Sequence, residues 1–225
     1  MSNTSKKSRN NKGSLQINGF DPIYAKNFAQ SQYLEALRTN QITFAVGPAG
    51  TGKSYIATAY AAEQLYYKKI DKIIITRPAV EAEETLGHLP GELEDKYAPY
   101  LLPVKEILEQ LLGKAFVEYC LNSGKIEAVP IAFMRGRTFD NAIVILDEMQ
   151  NASPNQMKLI LSRIGENCQY IIDGDETQKD IRGKSGLEDA ISRLEGIKGI
   201  EVCRFLDADI VRSAMCKKII QAYNV

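Results

Sequence analysis

Residues Gly47-Pro48-Ala49-Gly50-Thr51-Gly52-Lys53-Ser54 fit the pattern G-x-x-x-x-G-K-[ST]. Gly47, Gly50 and Gly52 lack the Cβ atoms that would stop a backbone from curling around a ligand, so N–H groups there can turn inward toward an anion. Lys53 adds a positive charge for the outer phosphates of a nucleotide, Ser54 a hydroxyl for Mg2+, and Tyr55 extends the nucleotide-binding stretch. Further along, "AIVILDEMQN" (142–151) carries an apolar run into two acids. Asp147 can hold Mg2+ through water, and Glu148 can polarise a water for attack on a γ-phosphate. Alone, such a run could simply open a helix; downstream of a phosphate loop it reads as a Walker B motif. In "YIIDGDETQKD" (170–180), the neutral amide of Gln178 could sense a γ-phosphate without adding negative charge. The other reading is a Gly-Asp turn with a solvated glutamine, and spacing alone leaves both open. The chemistry that these groups suit is Mg2+-dependent cleavage of a nucleoside triphosphate.

Such side chains work only if the chain brings them together. "ITFAV" (42–46) reads as a buried strand and Lys53 to Lys69 as a helix, which puts the phosphates at a helix N-terminus. Further apolar runs at 72–76, 126–131, 142–146, 170–173 and 200–205 are separated by helical segments. Near-continuous apolar runs imply parallel strands covered on both faces, hence a doubly wound α/β sheet with its ligand beyond the carboxyl ends of the strands. Residues 87–124 break the rhythm with helical turns and three prolines, and read as a helical insertion on one side.

The first 25 residues are expected to be a polar, basic tail, with 26–225 a single domain. Lys6, Lys7, Arg9 and Lys12 of the tail could touch nucleic acid or simply aid solubility. The 225 residues contain 28 Lys+Arg and 28 Asp+Glu, so the net charge is zero and a bulk polycation is not indicated. The four cysteines are far apart and His88 is the single histidine, which argues against a zinc site or a disulfide scaffold. No apolar run approaches a membrane span and the N-terminus is polar, so no membrane association and a cytoplasmic location are expected.

"GPAGTGKS", "TRPAVEAEETLGHLPGELEDKYAPYLLPV", "MRGRTF", "ILDEMQNASPNQMKLILSRIG", "GDETQKDI" and "DIVRS" resemble, in order, the motifs of the PhoH family. That family consists of P-loop ATPases related to the first domain of superfamily 1 helicases, and the resemblance runs from about Lys26 to Tyr223. It implies a RecA-like P-loop NTPase fold with a mostly parallel sheet, and ATP with Mg2+ as ligands. It also implies Gln30, in "KNFAQSQY", as an adenine reader; a glutamine amide offers the donor and acceptor that adenine's edge needs. By the same resemblance Gln178 becomes the γ-phosphate sensor and Arg77 a contact to a polynucleotide backbone. Arg77 could instead pair with Glu81 or Glu83. Arg135 and Arg137 of "MRGRTF" are further nucleic-acid candidates. Glu83, His88 and Ser213 depart from the residues common in the family, Gly, Phe and His respectively.

Related two-domain enzymes complete the ATP site with arginines from a second domain, and these residues hold one domain. The missing charge is expected from the chain's own tail or from a neighbouring subunit. Arg163, Arg182 and Arg212 are the candidates, with Arg212 first because "DIVRS" is read as opening the final helix. A homo-oligomer with the ATP site completed between subunits is therefore expected, a ring of six being the number that the resemblance implies. Two functions result: an ATPase acting on single-stranded RNA or DNA, and a nucleotide-dependent switch acting on a protein partner.

Overall fold

The computed structural model describes residues 20–78, 93–181, 183–212 and 215. The expectations for residues 1–19, Glu81, Glu83, His88, Arg182, Ser213 and the final helix lie outside that set.

Helix α1 (Phe28–Thr39) opens on Asn27, whose side chain accepts a hydrogen bond from the Gln30 N–H. Strand β1 (Ile42–Val46) leads through the glycine loop into α2 (Lys53–Tyr66) and then β2 (Lys72–Thr76). The insertion forms two helices, α3 (Leu93–Leu112) and α4 (Lys114–Asn122), divided at Gly113, whose φ of 83° favours glycine. Strands β3 (Ile126–Ala128) and β4 (Ala142–Leu146), helix α5 (Pro154–Leu161), strand β5 (Gln169–Gly174), helix α6 (Gly186–Leu194) and strand β6 (Ile200–Arg204) follow.

The strands form one six-stranded sheet in the order β3-β2-β4-β5-β1-β6, and every pairing is parallel. This is the α/β fold expected, with the sheet wholly rather than mostly parallel. Alternate residues of each apolar run face opposite ways. Ala45, Ile73, Ile75, Ile143, Ile145 and Ile171 pack with α1 to α4. Phe44, Val46, Ile74, Val144, Leu146 and Ile172 pack with α5 and α6 on the other face. Strands that read as continuous apolar runs are thus buried on both sides.

Three expectations need correction. The strand read over 126–131 stops at Ala128, because β3 is an edge and Pro130 has no N–H to offer a ladder; a 3-10 turn (Ile131–Met134) follows. The helix read to Lys69 ends at Tyr66, where the chain turns through Lys68 at a φ of 56°. Packing begins inside the stretch expected to be a tail, since Phe20 is buried against the Tyr66 ring at 5.8 Å between centroids. Among the described residues, no helix is long and apolar enough to cross a membrane.

Register explains how the sheet gathers the chemistry. Val46 lies beside Gly174 and Thr76 beside Leu146, so β1, β2, β4 and β5 end along one edge. The glycine loop, Arg77, Asp147 with Glu148, and Asp175 all emerge there, the position where open parallel sheets hold ligands.

Candidate functional site

The glycine loop is pinned from both ends of the chain. Val211 N–H donates to the Gly50 carbonyl at 2.9 Å and Gln30 Nε2 to the Thr51 carbonyl at 2.7 Å, while Asn27 Nδ2 ties the two flanking segments together through the Asp209 carbonyl at 3.0 Å. Gly50 has a φ of 85°, and a Cβ there would stand 2.5 Å from Arg212 Nε. A Cβ on Gly52, at a φ of 89°, would stand 2.7 Å from Gln30 Nε2. The missing side chains therefore let Arg212 and Gln30 close onto the loop from opposite sides.

Lys53, at the start of α2, is almost fully buried and donates to the carbonyls of Gly47 at 2.6 Å and Pro48 at 3.0 Å. Burial pushes its pKa down, against the pull of Asp173, Asp175, Glu148 and Asp147. Ser54 Oγ donates to Asp147 Oδ1 at 3.2 Å, so the hydroxyl and carboxylate expected to hold a cation already meet. Burial, and then the neighbouring Asp147 carboxylate, push the Asp173 carboxyl well above its usual range. Among the described residues, Asp173 Oδ2 and Asp175 Oδ2 are buried without hydrogen-bond partners. Unpartnered buried oxygens beside a lysine and a hydroxyl fit a site that takes a cation and a phosphate chain.

Glu148 holds a left-handed backbone with a φ of 56°, uncommon for any residue but glycine. This turns its carboxylate out of the sheet edge and toward the cleft. Arg77 reaches across from β2, with Nη2 3.4 Å from Glu148 Oε1 and Nη1 3.9 Å from Asp147 Oδ2.

One cleft of about 250 Å3 is lined by Ala49, Gly50, Gly52, Lys53, Ser54, Tyr55, Asp147, Glu148, Gln178 and Arg212, together with Asp173, Gly174 and Asp175. Most of the sequence-derived phosphate, metal and catalytic residues therefore meet there, Gln178 included, while Gly47, Pro48 and Thr51 of the loop do not line this cleft. Next to it, a cleft of about 560 Å3 is bordered by Tyr24, Gln30, Gly52, Tyr55 and Leu111. Gln30 is only 3% exposed, and its amide orientation is set: Oε1 accepts from Lys26 N–H at 2.8 Å, and Nε2 donates to the Thr51 carbonyl at 2.7 Å. The second Nε2 hydrogen and the second Oε1 lone pair remain for a base edge.

Arg212 lies against Gly50 of its own chain's loop and lines the cleft. Arg163 donates to the Leu159 carbonyl at the end of α5 and does not line the cleft. Arg77 sits against the acids, not on an open strand-binding surface. Arg137 pairs with Glu127 at 2.7 Å and covers the Phe139 ring at the β3 side of the sheet, and Arg135 is exposed nearby. Sequence reasoning missed Asp173, Asp175, Gln150 and Asn151. The available signal was polar residues in and shortly after two buried strands, Asp173 within β5, Asp175 just after it, and Gln150 and Asn151 shortly after β4.

A parallel α/β sheet whose carboxyl edge carries a glycine phosphate loop, a Ser–Asp pair and a strand-end glutamate is the α/β fold of a RecA-like P-loop protein. Residues 22–224 match the family described as PhoH-like protein. Protein PhoH of Escherichia coli strain K12 is 50% identical over 207 residues, covering 90% of this chain and 58% of its own length. The PhoH-like protein of Bacillus subtilis strain 168 is 47% identical over 204 residues, with 90% and 64% covered. That of Synechocystis sp. PCC 6803 is 42% identical over 204 residues, with 90% and 62% covered. The chain belongs to the PhoH family, and it spans less than two thirds of the length of these relatives.

Proposed function

We propose that the protein hydrolyses ATP with Mg2+ and couples turnover to single-stranded RNA or DNA. The observation that carries the hydrolytic reading is the meeting of Lys53, Ser54, Asp147, Glu148, Gln178 and Arg212 in one cleft at the end of the sheet. Ser54, and Asp147 through water, would hold Mg2+, which would supply positive charge against the charge that develops on the phosphates. Lys53, released from the Gly47 and Pro48 carbonyls, binds the β- and γ-phosphates. Glu148 accepts the proton of the attacking water, and Gln178 orients that water against the γ-phosphate. Arg212 stabilises transition-state charge in cis, in the place of a second domain's arginine. Gln30 reads the adenine edge, and Tyr24 and Tyr55 border the space for the ring.

Coupling to a polynucleotide rests on the helicase-like motif order and on Arg77, which joins the end of β2 to the base Glu148. The second reading, a switch acting on a protein partner, draws support from the engagement of Arg77 and Arg137 in ion pairs and from the zero net charge. A ring of six belongs to the proposal on family resemblance alone. The test is ATPase rate with Mg2+ or EDTA, with and without poly(U) or single-stranded DNA, over a range of salt. Mg2+-dependent turnover that polynucleotide stimulates and salt suppresses supports the whole reading. Turnover indifferent to both polymers favours the switch, and no turnover refutes hydrolysis.

A further inference from the structure

Two consecutive amides fasten the end of β4 to the loop after β5, and neither lines the phosphate cleft. Gln150 is 1% exposed. Its Nε2 donates to Glu148 Oε2 at 2.5 Å and to the Gln178 carbonyl at 3.3 Å, while its Oε1 accepts from Asp175 N–H at 3.1 Å. Asn151 Nδ2 donates to Asp180 Oδ2 at 3.3 Å, and its Oδ1 accepts from Asp180 N–H at 2.8 Å. Asp175, Gln178 and Asp180 all lie in the first part of that loop, which runs from β5 to α6 at Gly186. Gly174 makes the arrangement possible, since a Cβ there would lie 2.7 Å from Gln150 Oε1.

Packing alone does not call for these residues. A buried amide left unsatisfied costs about 1–3 kcal/mol, and an apolar side chain of the same size would avoid that risk. Both Nε2 hydrogens of Gln150 instead go to the two groups that the chemistry needs, the base and the loop of the γ-phosphate sensor. The Glu148 carboxylate is fixed on both oxygens, by Gln150 on one and Arg77 on the other.

We infer that Gln150 and Asn151 are positioning residues that register the Gln178 loop onto Glu148, so that base and sensor are set as one hydrogen-bonded unit. This rests on the ATP-hydrolysis reading. Neither amide touches substrate; both act through Glu148 and Gln178.

The experiment compares wild type, Gln150→Met and Gln150→Glu in steady-state ATP hydrolysis, with affinity for a non-hydrolysable ATP analogue and thermal unfolding measured alongside. Methionine keeps length and volume but removes the amide. Its kcat should fall by on the order of 10-fold or more, while KM and analogue affinity stay within about twofold. Glutamate keeps the acceptor for Asp175 N–H but sets a carboxylate against Glu148, so it should fail to rescue and should turn over no faster than the methionine variant. Near-wild-type kcat in Gln150→Met would overturn the inference by reducing Gln150 to packing. So would a variant that loses analogue affinity in step with kcat. If the methionine variant does not fold, the isosteric glutamate variant decides: folded with kcat lost and affinity kept supports positioning, and failure to fold or full activity overturns it. Absence of wild-type turnover in the same assay would sink the ATPase reading itself, which separates the two failures.

Discussion

The carboxyl edge of the sheet and its β2–β3 flank both carry many polar groups, but in opposite ways. At the flank, Lys72 and Arg137 pair with Glu127 while the two cationic side chains stay 44% and 38% exposed. Exposed pairs of this kind are worth about 0–1 kcal/mol, and water could replace them at little loss. At the carboxyl edge, Gln30, Lys53, Asp147, Gln150, Asn151, Asp173 and Asp175 are all buried. Burial of such groups is costly unless each finds a partner, and Asp173 and Asp175 keep an oxygen that does not. Polar residues held at that cost mark the working end of the molecule; polar residues that stay wet mark its surface.

The sharpest way to break this contrast is Glu148→Gln. Turnover should fall on the order of 10³-fold with analogue affinity retained, because the amide cannot accept the proton. Wild-type-like kcat would remove Glu148 from the chemistry. Next comes Arg212→Ala, expected to lower kcat on the order of 10²-fold as a lost charge donor. Because Arg212 lies on its own loop, mixing this variant with Lys53→Ala subunits should recover nothing; recovered activity would show that the arginine works in trans. Gln30→Ala should raise KM for ATP about tenfold more than KM for GTP, one buried hydrogen-bonding amide being worth roughly that ratio. Equal effects on the two nucleotides would end its role as base reader. The smallest effect belongs to the flank: Arg137→Ala should change stability in urea by no more than about 1 kcal/mol. A loss well beyond that would mean that the flank depends on its polar contacts as heavily as the carboxyl edge does, and the contrast would collapse.

Much of this arrangement could be read from residues in order. Strands 42–46 and 72–76 matched residue for residue, as did 142–146, because each is an apolar run with turn residues at its ends. The phosphate loop and the Asp-Glu pair were legible because their chemistry sits in a fixed local spacing. Arg77 was not. Its partners are 70 and 71 positions away in sequence and adjacent only because β2 and β4 are neighbours in the sheet. Gln150 was hidden in the same way, in plain view within "DEMQN", since its meaning lies in a loop that follows another strand. The approach of Arg212 to the loop needed the return of the chain over Gly50, which no pattern near residue 212 announces.

The backbone of Glu148 has one more consequence. At a φ of 56° a side chain with a Cβ carries a penalty of roughly 1–2 kcal/mol, which glycine would escape and asparagine would reduce. Glycine there would remove that strain but leave the buried Gln150 Nε2 without its Glu148 acceptor at a cost of about 1–3 kcal/mol, so strain relief and lost contacts nearly offset each other. Any engineering of the chain for durability has to hold residue 148 constant, or screen for turnover at every round.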